Sequence, residues 1–212
     1  MQITIAAATR LELKEDMIKQ SNGHDIRILY TGVGILPSAV SITQHVLQHK
    51  PDLIIQMGIA GCFDSNIGLA NVVAVKKESL GDTGVQENGE WKDVFDMGFR
   101  QKGEMPFSDK YLVNETIEKY NVLQLPEVTG VTINEITTEK ARIKMLQGKY
   151  NAQIESMEGA ALHYVCQLFN IPFIQIRAIS NYIGERDKTK WKLKEAVASL
   201  NETVLHMLNK IE

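Results

Sequence analysis

Seven short apolar segments, separated by stretches with helical periodicity, constrain the fold of this chain more than any other feature. Several are apolar on successive residues, which indicates strands buried on both faces. The segments are QITIAAA, IRILYTG, DLIIQMG, NVVAVKK, VTGVTIN, AQIES and FIQIRAIS. Because strands that alternate with helices are typical of α/β proteins, we expect an α/β domain with a mainly parallel or mixed sheet.

The segments between these strands predict amphipathic helices. PSAVSITQHVLQHK opens with Pro37, a residue that favours the first helical turn. TTEKARIKMLQGKY and MEGAALHYVCQLFN also have a helical pattern, and the second places Ala161, Val165, Leu168 and Phe169 on one stripe. From Trp191 onward, apolar residues recur every three or four positions, which predicts a terminal helix covering the sheet.

Composition limits the possible partners of the chain. With 212 residues, 44% of them hydrophobic, we expect a single domain spanning 1–212. The net charge of −3 favours neither nucleic acid nor a membrane surface as a partner. Cys62 and Cys166 stand in apolar surroundings and are interpreted as reduced core thiols. The sequence has no signal peptide or membrane-length apolar run, so we expect a cytoplasmic protein.

Polar or glycine-rich residues follow five of the predicted strands. In α/β sheets, ligands bind beyond the carboxyl ends of the strands, so these exits predict a small-molecule site. They are Glu12, which we expect to start a helix, then Thr31–Gly34, Gly58–Gly61, Glu155–Gly159 and Ser180–Asn181.

Several familiar motifs are absent. GVGILPSA lacks the third glycine of a dinucleotide fingerprint, and no acidic residue follows about 20 positions later. Neither a Gly-Lys-Ser/Thr phosphate loop nor a Gly-x-Ser-x-Gly nucleophile elbow occurs. His45 and His49 have the spacing of a metal pair, but Gln44 and Gln48 beside them favour a solvated helix face.

Two other features each have an alternative reading. Gly81–Pro106 contains five glycines, and its apolar residues recur with no regular period. This composition favours a functional flap or a subunit contact over a connecting loop. Glu158 follows a strand and precedes a helix, where simple capping would explain a carboxylate as well as a binding role does. The same alternative applies to Glu12.

Taken together, the strand exits resemble the nucleoside phosphorylase/nucleosidase superfamily. The resemblance is carried by TGVGILPSAVSITQ, PDLIIQMGIAG, SMEGAALHYVCQLFNIPFIQIRAIS and the position of Glu12. GDTGV, GVTIN and RAISNYIGERDKTKW are similar to the futalosine hydrolases within it, and methylthioadenosine/S-adenosylhomocysteine nucleosidases are related by mechanism. The resemblance implies a three-layer α/β fold with a central mixed sheet flanked by helices.

The resemblance also implies catalytic roles. Glu12 would orient or deprotonate the attacking water, and Glu158 would bind the ribose hydroxyls and stabilise a cationic transition state. Met157 would pack against the sugar. Arg177 corresponds to an arginine near the water and the acidic groups, although an ion pair at a strand end is an alternative.

Water is the favoured nucleophile. A phosphorylase of this superfamily needs arginines for its phosphate, and Gln56 stands where one of them is expected. Gly58 and Ile59 would contact substrate, but Ile59 replaces a hydroxyl-bearing residue, and its side chain cannot donate a hydrogen bond. Arg10 remains as one available cation.

The base is assigned to a 6-oxopurine. Adenine-specific relatives have Asp at the position of Asn181, whereas an amide can donate to O6 and accept from a protonated N7. Thr132, Asn134 and Ile136 belong to the segment expected to contact the base.

These inferences predict a cofactor-free, metal-free hydrolase of futalosine that releases hypoxanthine on a menaquinone pathway. A methylthioadenosine-type nucleosidase, an inosine phosphorylase and a non-catalytic nucleoside-binding regulator remain as alternatives. The resemblance further implies a homodimer or higher homo-oligomer, with Gly81–Pro106 as a lid or subunit contact. Arg100 and Lys102 in this loop are candidates to meet the substrate's aryl carboxylate, or are solvated charges.

Overall fold

The computed structural model describes residues 1–19 and 23–211. The strands are β1 (Gln2–Ala7), β2 (Asp25–Tyr30), β3 (Leu53–Cys62), β4 (Val72–Leu80), β5 (Gly84–Glu87), β6 (Glu90–Asp93), β7 (Leu112–Val113), β8 (Glu127–Thr132), β9 (Ile154–Ser156) and β10 (Phe173–Tyr182). The helices are α1 (Glu15–Ile18), α2 (Ile35–His49), α3 (Ile117–Tyr120), α4 (Lys140–Tyr150), α5 (Gly159–Phe169) and α6 (Leu193–Leu208). All seven predicted strands are present.

The large sheet is mixed, with the strand order β10-β4-β8-β9-β3-β1-β2 and β7 paired to β4. Strand β3 lies at its centre and is parallel to β1 and β10 but antiparallel to β9. Because β10 pairs with both β3 and β4, this half of the sheet closes on itself. The expected α/β fold, with a mixed sheet flanked by helices, is confirmed.

The core lies on both faces of the sheet, which explains the continuous apolar runs. In β3, Leu53 and Ile55 pack in the cluster that includes Leu200 of α6, whereas Ile54 packs with the cluster of α2 and α5. Alternate residues of one strand therefore enter different cores. No helix in the described ranges is long and apolar enough to cross a membrane.

Two local expectations are corrected by the structure. The stripe on α5 holds for Ala161 and Val165, which are buried, but Leu168 and Phe169 are 48% and 38% exposed. Those two lie in the last turn of α5. His45 is buried rather than solvated, because α2 packs on β1 and His45 Nε2 lies 2.6 Å from Thr4 Oγ1.

The Gly81–Pro106 segment is less irregular than its composition suggested. It contains the hairpin formed by β5 and β6, in which four residue pairs are in register. Arg100 of this segment donates to Met105 O at 2.9 Å and lies over the Phe107 ring, and Lys102 is paired with Asp109. Both cations are therefore engaged by residues of this segment or by residues just beyond its end.

Candidate active site

A cavity of about 720 Å³ opens where the strand exits converge. Its walls come from the exits of β1, β3, β9 and β10, from the segment after β8, and from α6 and the turn before it. Six of the predicted site residues line it: Glu12, Ile59, Ile136, Met157, Glu158 and Asn181. No residue of 81–106 lines this cavity within the chain, so the hairpin segment is not a lid over it in this structure.

Glu12 lies in the turn after β1 and does not start a helix, because α1 begins at Glu15. Its carboxylate folds back over the turn and accepts hydrogen bonds from Thr9 N at 3.2 Å and from Ile59 N at 3.1 Å. Burial raises the pKa of Glu12, while the positive charge of Arg177 and these backbone hydrogen bonds oppose the rise. A desolvated carboxylate with a raised pKa is a stronger base toward a bound water than a surface glutamate.

The turn that carries Glu12 is fixed from the other end of the chain by Asn201 of α6. This fully buried amide accepts from Lys14 N at 2.8 Å and donates to Glu12 O at 2.9 Å. These bonds satisfy one backbone N–H and one backbone carbonyl of the turn. Sequence reasoning missed Asn201, although a lone amide on the apolar stripe of α6 was a usable signal.

Glu158 occupies the N-cap position of α5, but its side chain makes no capping hydrogen bond. Instead, Oε1 accepts from Gly34 N at 3.1 Å, and Oε2 lies 3.4 Å from Arg177 Nη1. Helix capping therefore does not explain this carboxylate. It lies at the cavity wall, where a negative charge would stabilise a cationic sugar.

Arg177 lies behind the cavity wall rather than on it. The residue is only 1% exposed, and Nη2 donates to Gln56 Oε1 at 3.0 Å while Nη1 donates to Ile59 O at 3.4 Å. Its pairing with Glu158 is thus a buried ion pair inside the site and not a pair at an exposed strand end. Gln56 is buried and does not line the cavity, and its oxygen holds this arginine from behind the wall.

Three further predicted residues do not reach the cavity. Gly58 lies beneath Glu12, where a Cβ would come within 3.0 Å of Glu12 Oε1 and would overlap Arg177, so its lack of a side chain makes room for these two groups. Thr132 is buried under α5. Asn134 is exposed and connects this segment to Asp82, which accepts from its side-chain Nδ2 at 3.1 Å, and to Ile35 N.

Thr132 belongs to a buried polar network that sequence reasoning missed. Its hydroxyl donates to Glu78 Oε2 at 2.8 Å and accepts from Ala160 N in the first turn of α5, also at 2.8 Å. Gln175 Nε2 donates to the other Glu78 oxygen at 2.9 Å. Complete burial raises the pKa of Glu78 to about 7, and the hydrogen bonds from Gln175 and Thr132 oppose the rise. This network anchors the helix start that follows Glu158.

Asn181 reaches the cavity through an irregularity in β10. The pairing of β10 with β3 shifts between Ile179 and Asn181, which leaves Ser180 as an extra residue. The Ser180 hydroxyl donates to Asn181 Oδ1 at 2.8 Å, and Asn181 Nδ2 donates to Tyr182 O at 3.2 Å. The amide keeps one N–H and one lone pair for a ligand.

The cavity has residues that sequence reasoning did not identify. Lys14, Lys194, Trp191 and Leu11 line it on the side of the Glu12 turn and α6. This side combines an aromatic ring and apolar surface with two cationic side chains. Among the described residues, no group of three or more His, Cys, Asp or Glu is placed to hold a metal ion.

The sequence profile described as the Phosphorylase superfamily matches residues 15–209. The chain belongs to this superfamily. The match covers nearly the whole chain and confirms the resemblance inferred from the strand exits. It does not by itself distinguish phosphate from water as the nucleophile.

Named relatives include members that act by hydrolysis. A futalosine hydrolase of Thermus thermophilus is 27% identical over 85% of this chain and 80% of its own length. A 5'-methylthioadenosine/S-adenosylhomocysteine nucleosidase of Bacillus velezensis is 25% identical over 99% of this chain and 95% of its own. The native structure of futalosine hydrolase from Helicobacter pylori superposes with a TM-score of 0.81 at 18% identity, covering 99% and 98% of the two chains.

Proposed function

We propose that this protein hydrolyses the N-ribosidic bond of futalosine, releasing hypoxanthine and dehypoxanthine futalosine, and so acts in menaquinone biosynthesis. The chain is a nucleosidase, the class to which both named relatives belong. The observation that carries the finer proposal is the placement of Asn181 in the same cavity as Glu12 and Glu158. An amide at this position suits a base that bears oxygen at C6.

In the proposed reaction, a water held by Glu12 attacks C1′ of the ribose as the bond to N9 breaks. Glu12 takes a proton from this water, and its raised pKa makes it a competent acceptor. The electron pair of the broken bond remains on the purine, which takes a proton from solvent at N7 as it leaves. The proton that Glu12 gained then returns to solvent. Glu158 faces the ribose and stabilises the positive charge that develops on the sugar.

The surroundings of Ile59 favour water over phosphate. A phosphate dianion needs several charge-assisted donors. Arg177 is buried and already engaged by Glu158 and Gln56, and Ile59 offers an apolar side chain. Arg10 is paired with Glu15 at 3.0 Å and lies over the Tyr30 ring. These contacts leave neither arginine available to bind a phosphate dianion beside Ile59.

Lys14 and Lys194 support futalosine over methylthioadenosine as the substrate. Futalosine carries an aryl carboxylate on its 5′ side, whereas the methylthio group is small and uncharged. The aromatic ring of Trp191 and the two lysines at the same side of the cavity match an anionic aromatic group.

A substrate panel tests this function. The purified protein is incubated with futalosine, inosine and methylthioadenosine, each with and without phosphate, and the released base is identified by chromatography. We expect hypoxanthine from futalosine at a rate independent of phosphate. Strict phosphate dependence would contradict hydrolysis, adenine release alone would contradict the base assignment, and binding without turnover would favour the regulator.

Two variants separate the roles of the site residues. Glu12→Gln should retain substrate binding but lower kcat by about 10²- to 10⁴-fold, because it removes a general base. Asp16→Asn, an exposed change on the same segment, is its matched control and should leave kcat unchanged. Asn181→Asp should lower the selectivity for 6-oxopurine over 6-aminopurine nucleosides by about 10²-fold, because the carboxylate and O6 are both hydrogen-bond acceptors and cannot bond to each other.

A further inference from the structure

Glu155 lies in register with Asn181 across the central strands. Gly61 of β3 pairs with Glu155 of β9 on one side and with Asn181 of β10 on the other, and all three line the cavity. Residues paired across neighbouring strands project to the same face of a sheet. The two side chains therefore stand on the cavity face, separated by two strand spacings, or roughly 9.5 Å.

The lack of a side chain at Gly61 makes room for Ile183 over the backbone between these two residues. A Cβ at this position would lie 3.6 Å from Asn181 Nδ2 and would overlap the Ile183 side chain, which also lines the cavity. Ile183 therefore provides an apolar surface between an amide and a carboxylate. A flat bicyclic base that packs on this surface can make one hydrogen bond of about 2.9 Å to each of the two polar side chains.

The Glu155 carboxylate is only partly satisfied by the protein. The residue is 6% exposed, and Oε1 accepts from Thr137 N at 3.2 Å. Its other oxygen, Oε2, is buried without a hydrogen-bond partner in the described part of the chain. Burial raises the pKa of Glu155, and hydrogen bonding to Thr137 opposes the rise. A buried carboxylate oxygen without a partner is costly, and because Glu155 lines the cavity, a ligand donor is the partner that the site can supply.

We propose that Glu155 is a second base-reading residue, which accepts a hydrogen bond from N1–H of a 6-oxopurine. This inference rests on the proposed function and extends it. A 6-oxopurine carries a proton on N1, whereas adenine presents a lone pair there. A carboxylate accepts a hydrogen bond from N1–H of the 6-oxopurine but is repelled by the N1 lone pair of adenine. Glu155, at N1, and Asn181, at O6 and N7, therefore both favour a 6-oxopurine over adenine.

The test uses binding of free bases, which does not depend on turnover. Hypoxanthine and adenine are titrated into the wild type, Glu155→Gln and Glu135→Gln by calorimetry. Glu135 is an exposed glutamate two residues before Thr137 and serves as the matched control. We expect Glu155→Gln to lower the preference for hypoxanthine over adenine by about 10- to 100-fold, because an amide also donates to N1 of adenine. The control should keep the wild-type preference.

A second measurement on the wild type covers the case in which Glu155→Gln does not fold. 1-Methylhypoxanthine lacks the N1 proton and should bind at least about 10-fold more weakly than hypoxanthine. Equal binding of these two bases, or an unchanged preference in a folded Glu155→Gln, would overturn the role of Glu155. Loss of the preference in a protein that hydrolyses no nucleoside would support Glu155 as a base reader while refuting the proposed reaction.

Discussion

Replacing Glu78 by glutamine should change how the stability of this protein depends on pH. Glu78 is completely buried, and its two oxygens accept hydrogen bonds from Gln175 and Thr132. Glutamine has nearly the same shape and can still accept from Thr132. Gln175 can reverse its amide to meet the new NH₂ group, because its oxygen has no partner among the described residues. The variant should therefore fold with the network intact.

The magnitude follows from the pKa of Glu78, which burial raises from 4.5 to about 7. A raised pKa in the folded state means that folding favours the protonated acid. The stabilising contribution of that proton is fully present below about pH 4.5 and is lost as the pH rises through about 7. This difference in pKa corresponds to about 3 kcal/mol. Glutamine does not titrate, so the variant should gain up to about 3 kcal/mol relative to the wild type between pH 5 and pH 8.

Urea denaturation at pH 5, 6, 7 and 8 measures this effect as the difference in the free energy of unfolding between variant and wild type. The expected result is a difference that grows with pH and levels off near pH 8. A difference in the free energy of unfolding that is the same at every pH would come from the altered hydrogen bonds. Only the change of this difference with pH therefore tests the pKa of Glu78. Glu202→Gln, an exposed change on α6, should give a flat difference. A flat difference for Glu78→Gln as well would refute the reasoning, because Glu78 would then titrate normally.

Four other outcomes are expected. Glu158→Gln should lower kcat/KM by about 10²- to 10³-fold in steady-state assays, since it removes the charge that stabilises the ribosyl cation. Lys194→Met should raise KM for futalosine roughly fivefold, which is the scale of a solvent-exposed ion pair, but should leave KM for inosine unchanged. Equal changes in KM for both substrates would exclude a role of Lys194 at the anionic tail. Gly159→Ala should destabilise the fold by on the order of 2 kcal/mol in thermal melts, because a Cβ there would overlap the Glu78 carboxylate. Cys62 should resist iodoacetamide at pH 7.5 in the native protein, because burial raises the pKa of its thiol to about 11, and rapid alkylation detected by mass spectrometry would contradict this.

The candidate site could be predicted only in part from the sequence. Glu158 and Asn181 were identified because each follows a buried strand, and strand exits converge at one edge of an α/β sheet. Glu155 also follows this rule but was given no role, since only its register with Gly61 brings it level with Asn181. Thr132 was expected to contact the base, but it is buried behind the cavity wall, under the start of α5. The sequence does not show which face of the end of β8 is covered by α5.

By itself, the sequence determined the order of the seven predicted strands and the main helices, and the family, because hydrophobic periodicity and strand-exit motifs are local properties of the chain. The tertiary structure alone decided which polar groups are satisfied within the protein and which remain for a ligand. Asn201 holds the Glu12 turn from 189 residues away, and Arg177 reaches Gln56 across 121 positions. Such pairings depend on how β3, β10 and α6 pack together, since hydrogen bonds in a buried site join groups that are close in space and distant in sequence.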